Sequence, residues 1–134
     1  MTAALVAFLR ARLDDDERVA RSTGQPGLSW QNFEMDGELR DDANAGTVAM
    51  VPREETRTHI GRQDPARTLR EVEAARAVLD LYEEAGHRMD RAMNDSDTVA
   101  YQEARIEQRT LRKVLLQEAA VHEAHPEYLK EWRP

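Results

Sequence analysis

Leu5, Phe8, Leu9 and Leu13 recur at the spacing of one helical face, and Asp14-Asp15-Asp16-Glu17-Arg18 lies on or near the opposite face. This pattern predicts a helix over 3–22. Two acid-first pairs four apart support it, Asp14 with Arg18 and Glu17 with Arg21. Ser22-Thr23-Gly24, with Pro26 and Gly27 beyond, supplies the stop. Over 28–58 the helical period is lost. Leu28-Ser29-Trp30 and Phe33-Glu34-Met35 alternate, Thr47–Val51 is a short run rich in β-formers, and Asp36-Gly37 and Asn44-Ala45-Gly46 signal turns. Two or three short strands follow, forming a hairpin with a wet acidic loop at 36–46. A hairpin is not stable alone in water, so it must pack on helices, with Trp30 as its anchor.

The strongest helical pattern runs over 64–93. Asp64 can cap the free N–H groups of the first turn, and Pro65 suits the first helical position. Val72, Leu79, Gly86 and Met93 are seven apart, and Ala75, Tyr82 and Met89 form a second series offset by three. Together they make a coiled-coil-like seam, weakened at Gly86. Asn94–Asp97 reads as a turn. A further helix over 98–124 carries Val99, Ile106, Leu111, Val114, Leu115 and Val121, and Pro126 stops it. Two long helices joined by a short turn predict an antiparallel hairpin. The tail, 126–134, holds Tyr128 and Trp132, which can fold back on the bundle. With no internal repeat and no low-complexity linker, the chain 1–134 reads as one domain of the α+β class. It is mainly helical, a long antiparallel helical hairpin plus an N-terminal helix, with a small β-hairpin inserted between the first and second helices.

Composition narrows the chemistry. The 134 residues are 40% hydrophobic, 34% charged and 5% aromatic, which suits amphipathic helices better than a β-sandwich. The net charge of −7 disfavours an electrostatic grip on nucleic acid or on an anionic membrane. With no cysteine, disulfides, thiolate catalysis and Cys-containing zinc sites are excluded. The apolar run Leu5–Leu9 has no basic region before it, and Arg10 and Arg12 follow at once. It is a poor signal peptide and too short to span a bilayer, so the expected compartment is the cytoplasm. Seventeen arginines against two lysines fit a GC-rich genome.

Each candidate for chemistry has a simpler account. His59 and Asp64 form a polar pair, but the Asp-Pro step points to helix capping. His122-Glu123-Ala124-His125 has a spacing of three where the zincin helix needs four, and Pro126 follows directly. A zinc site would need His59, His87, His122, His125 and carboxylates to converge; the simpler account is histidines near the negative pole of a helix end. Asp14–Glu17 lacks a Gly-containing calcium loop, Gly24–Gly27 lacks the phosphate-loop spacing and its lysine, and no GxSxG elbow is present. Glu71 and Glu73, two apart on a helix, do not face each other. Arg67, Arg70 and Arg76 alternate with Glu71, Glu73 and Asp80, which favours pairing along the helix over phosphate binding.

Three segments together carry a resemblance: Leu5–Arg21 (LVAFLRARLDDDERVAR), His59–Ala85 (HIGRQDPARTLREVEAARAVLDLYEEA) and Val121–Pro134 (VHEAHPEYLKEWRP). With the same order of parts, the chain resembles an uncharacterised family of small proteins of actinobacteria such as Streptomyces and of their phages, a domain of unknown function. A weaker likeness is to phage early proteins of the Ea22 type. There a hairpin precedes an Ile-Ala, Asn-Pro helix start; here Ile60-Gly61 and Asp64-Pro65 stand in those places, and Leu69 and Val72 follow. The likeness implies a phage or mobile-element origin and supplies no catalytic residues.

The function expected is that of a non-enzymatic binding or accessory protein acting on an unknown protein partner, as monomer or homodimer. It would use no cofactor, no metal and no membrane, and direct nucleic-acid binding is disfavoured. The residues singled out for structure or contact are Trp30, His59, Asp64, Pro65, His125, Pro126, Tyr128 and Trp132. The alternatives are a nucleic-acid-linked regulator or acidic DNA mimic, and a small metal-dependent enzyme, which requires His59, His122 and His125 to meet.

Overall fold

The structure is a computed structural model, and it describes residues 2–23, 27–33, 37–43 and 46–134. In chain order the elements are α1 (Thr2–Arg21), β1 (Trp30–Phe33), β2 (Glu38–Asp41), β3 (Thr47–Met50), α2 (Glu54–Arg62), α3 (Pro65–Asn94), α4 (Thr98–Ala120) and a short 3-10 turn (Lys130–Trp132). The class is α+β, mostly helical, with the small sheet between the first and second helices, as the pattern predicted. The chain divides into two compact units. One holds Met1–Leu13 and Ala74–Pro134, the other Asp14–Glu73; α1 and α3 each run through both.

In the unit 14–73 the sheet is an antiparallel meander in the order β1-β2-β3. Trp30 pairs with Asp41, Phe33 with Glu38 and Leu39 with Ala49, and the second ladder slips between Leu39 and Arg40. The stretch expected as a loop at 36–46 therefore contains a strand. Glu38-Leu39-Arg40-Asp41 alternates, and Leu39 and Asp41 share the buried face; the acidic composition hid the period. Gly37 turns β1 into β2 with φ +68, a conformation only glycine adopts freely, and its carbonyl accepts from Val51 N at 2.8 Å. Trp30 is half-buried, and the fully buried Leu39 takes the anchoring role expected of it. The expectations on Gly24, Pro26, Glu34, Met35, Asp36, Asn44 and Ala45 lie outside the described residues.

The end of the hairpin region expected over 28–58 is a helix, α2, and His59 sits exposed in its last turn. Its sequence, EETRTHIGR, has no apolar period because its buried residue is an arginine, Arg57. Glu54 and Glu55 in the first turn suit the positive pole of the helix. Gly61 lets α2 lie close to the sheet: a Cβ there would stand 3.2 Å from Leu39 Cδ2.

In the other unit, Leu5, Phe8, Leu9 and Leu13 of α1 are buried, as their spacing predicted, together with Leu79, Tyr82, Ala85 and Ala92 of α3 and Ala104, Leu115 and Ala119 of α4. Asp97 caps α4 by accepting from Ala100 N at 3.0 Å, and Asp97 N closes the turn on Ala92 O at 2.8 Å. Arg88 meets Glu107, and a Cβ on Gly86 would meet Gln108, so the facing residues run in opposite directions along α3 and α4. This is the antiparallel hairpin. The seam expected on α3 holds at Leu79 and Tyr82 and ends before Met93, which is 63% exposed.

Candidate functional site

Asp64 joins two elements of its unit. Its Oδ1 accepts from Arg67 N at 2.8 Å, the cap the sequence predicted, while Oδ2 accepts from Trp30 N at 3.1 Å. Ala66 N also donates to Leu28 O at 3.0 Å, so the start of β1 is tied to the start of α3, with Pro65 buried. Sequence reasoning found the cap and missed the strap to Trp30, because one carboxylate can serve two donors, one of them 34 positions away. Arg57, which sequence reasoning also missed, is 2% exposed. Its Nε donates to Asn32 Oδ1, and its Nη1 donates to the carbonyls of Val51 at 2.7 Å and Pro52 at 3.3 Å. It links β1, the exit of β3 and α2.

The tail is packed. Trp132 is 4% exposed, its ring 5.0 Å from that of Phe8 on α1. Tyr128 meets Trp132 edge-on at 5.8 Å, and His125 and His122 present their rings to Phe8 at 5.6 and 6.1 Å. Arg12 lies over the Phe8 ring at 5.6 Å and contacts His125 Nε2, with Glu127 at 3.8 Å. Helix α4 ends at Ala120, short of the expected 124, and turns carry the chain to Pro126. Proline has no N–H and bars His125 from helical geometry, so the chain leaves the helix axis and Tyr128 and Trp132 come back onto Phe8. Trp132 and Tyr128 fold back on the bundle, as the sequence allowed, and Trp132, singled out also for contact, is part of the core. The histidines follow the C-terminal end of α4 and also form part of an aromatic cluster around Phe8. Tyr128 Oη is shielded without a hydrogen-bond partner, as is Trp30 Nε1.

The surface of α4 tells a different story from its sequence reading. Of the six apolar residues carried by this stretch, Leu115 is buried and Leu111 half-buried. Val99, Ile106, Val114 and Val121 are 70%, 62%, 38% and 77% exposed. Steps of seven, eight and seven residues return to one side of a helix, so these four form an outward stripe about 33 Å long. The inward positions go to Ala104 and Ala119 beside Leu115, small residues that let α4 approach its neighbours. The signal for this was the series Ala104, Gln108, Leu111, Leu115, Ala119, which an apolar count that passes over alanine does not register.

Other chemistry finds less support. Among the described residues no three His, Cys, Asp or Glu side chains gather as a metal site would require, so His59, His122 and His125 do not meet in one. An open groove of 580 Å³ lies between α1 and α3, lined by small and apolar residues including Ala3, Val6, Ala7, Gly86 and Met89. At its edge Arg10 is held by Asp80 and Glu83 at 3.1 Å each, and these hydrogen bonds raise the guanidinium above its ordinary pKa. Among the described residues no helix is long and apolar enough to cross a membrane.

No curated protein and no solved structure matches the chain. The model of a family of unknown function, DUF6221, matches residues 2–134. The chain belongs to that family.

Proposed function

We propose that the protein is a non-enzymatic binding module that works through protein contacts, and that the outward stripe of α4 is its contact surface. One observation carries this reading: four β-branched apolar residues, Val99, Ile106, Val114 and Val121, are set out along one helix face instead of inside the unit. Scattered exposed apolar residues are ordinary, but an aligned row on a single helix matches the way helices dock into grooves or onto other helices. Residues 1–134 act as one domain in this reading, in the cytoplasm, and the resemblance to actinobacterial and phage proteins supports a mobile-element origin.

The test is affinity capture with the full chain from a nuclease-treated lysate of a GC-rich actinobacterium, comparing wild type with Ile106→Asp. A protein retained by wild type and lost with Ile106→Asp supports the reading. Equal capture by both, or capture of nothing by a chain that also stays monomeric, overturns it. Trp132 is unsuitable as the control position, because its replacement opens the core around Phe8.

A further inference from the structure

The charges beside the stripe are sorted by sign. Viewed down α4 at 100° per residue, Arg109 and Lys113 fall on one flank of Val99, Ile106, Val114 and Val121, with Arg105 further round. Glu118 falls on the other flank, and so does Glu107, which pairs with Arg88, while Glu103 lies within the row at the angle of Val121. Within the described residues Glu103, Arg105, Arg109, Lys113 and Glu118 make no ion pair. Some exposed charges on other helices are paired along their own helix, as Arg21 with Glu17 and Arg67 with Glu71. On α4 the four-residue neighbours repeat one sign: Arg105, Arg109 and Lys113 in one row, Glu103 and Glu107 in another. Like charges at that spacing disfavour a helix, so the arrangement costs stability in the lone chain.

We infer that this face pairs with a second copy of the chain, α4 against α4 in parallel. The inference rests on the reading of the stripe as a contact surface and names its partner. Symmetry decides the direction. A two-fold axis running along the helices sets the basic flank of each copy against the acidic flank of the other, on both sides of the stripe. An axis across the helices sets base against base and acid against acid. The parallel pair thus sets the Arg105, Arg109 and Lys113 row against Glu107 and Glu118 while covering the four apolar side chains. Glu103, Thr110 and Gln117 interrupt the apolar row, and the contact is one helix wide. Such an interface belongs to the small, reversible class.

The experiment is sedimentation velocity on the full chain up to about 0.1 mM, where a micromolar association is populated. Two variants accompany wild type: Arg109→Glu with Lys113→Glu, and Glu118→Lys. Wild type is expected to dimerise, and each variant alone to dimerise at least about tenfold more weakly. An equimolar mixture of the two variants restores dimers, because each supplies the flank the other now lacks. All three positions are exposed, and circular dichroism of each variant checks that it folds. Should a reversal unfold the chain, Arg109→Gln with Lys113→Gln must still weaken the dimer. A monomeric wild type, variants that dimerise as wild type does, or a mixture that stays monomeric overturns the inference. A monomeric wild type that still captures an Ile106-dependent partner from lysate defeats self-pairing alone and leaves the contact reading standing.

Discussion

Replacing Arg57 with methionine probes the strut of the unit that carries the sheet. The two side chains are close enough in length to keep most of the volume, so the loss is chiefly of hydrogen bonds. Arg57 is 2% exposed and donates to Asn32 Oδ1 and to the carbonyls of Val51 and Pro52. A hydrogen bond from a charged donor contributes about 1.5–3 kcal/mol net. Taking the Asn32 and Val51 bonds at the low end, and setting Pro52 aside for its 3.3 Å length, the loss is about 3 kcal/mol. For a chain of this size that lowers Tm by about 10 °C. Arg57→Lys should fall between the two, since one ammonium cannot serve Asn32 and Val51 as a fork does. Urea unfolding followed by circular dichroism measures the change as a shift in midpoint at constant slope. A methionine variant within about 1 kcal/mol of wild type would refute the argument, because losing two hydrogen bonds from a buried charged donor should cost more than that. It would mean that the contact of Gly61 with Leu39, not the guanidinium, holds α2 on the sheet.

Further outcomes follow from the other unit. Trp132→Ala should cost about 3–5 kcal/mol by emptying the space over Phe8, whereas Tyr128→Phe should be neutral or stabilising, because the hydroxyl it removes has no partner; thermal melts of the two variants must diverge. Gly86→Ala should raise stability by about 0.5 kcal/mol, since the atom its Cβ meets is the far end of the Gln108 side chain, which can swing away, while helix propensity improves; a fall in Tm would show that Gln108 is fixed. The hydrogen bond from Arg91 holds the Glu84 carboxyl below its ordinary range. The sign of the linkage then places this stabilisation above the unfolded value, about 4.3, with loss as pH falls through the lower folded value. Glu84→Gln should accordingly flatten the acid limb of a stability–pH curve measured in urea.

Much of the helical architecture was legible because it rests on local chemistry. Leu5, Phe8, Leu9 and Leu13 spell out one face, Asp64-Pro65 opens α3, and Asp97 and Pro126 mark where α4 begins and cannot continue. Those signals need only neighbours within a turn or two. Helix α2 and strand β2 escaped the same reading for opposite reasons. Arg57 fills a core position that apolar periodicity expects a hydrophobe to occupy, and in β2 an aspartate shares the buried face with Leu39. Nothing local announces that an arginine will find its acceptors at Asn32, Val51 and Pro52.

By itself, the sequence determined the class, the order of long helices, the capped start of α3, and the absence of cysteine chemistry. It also set the acidic balance and the row of valines and isoleucine on α4. Only the tertiary structure decided which side of α4 faces inward. Ala104 and Ala119 won that place because close helix packing favours small side chains, and the larger apolar residues were left outside. It likewise decided that Trp132 is core rather than contact surface, since Phe8 lies 124 positions earlier in the chain and no local pattern connects them. Burial is a property of what the rest of the chain brings to a residue, and periodicity tells only which residues will share its fate.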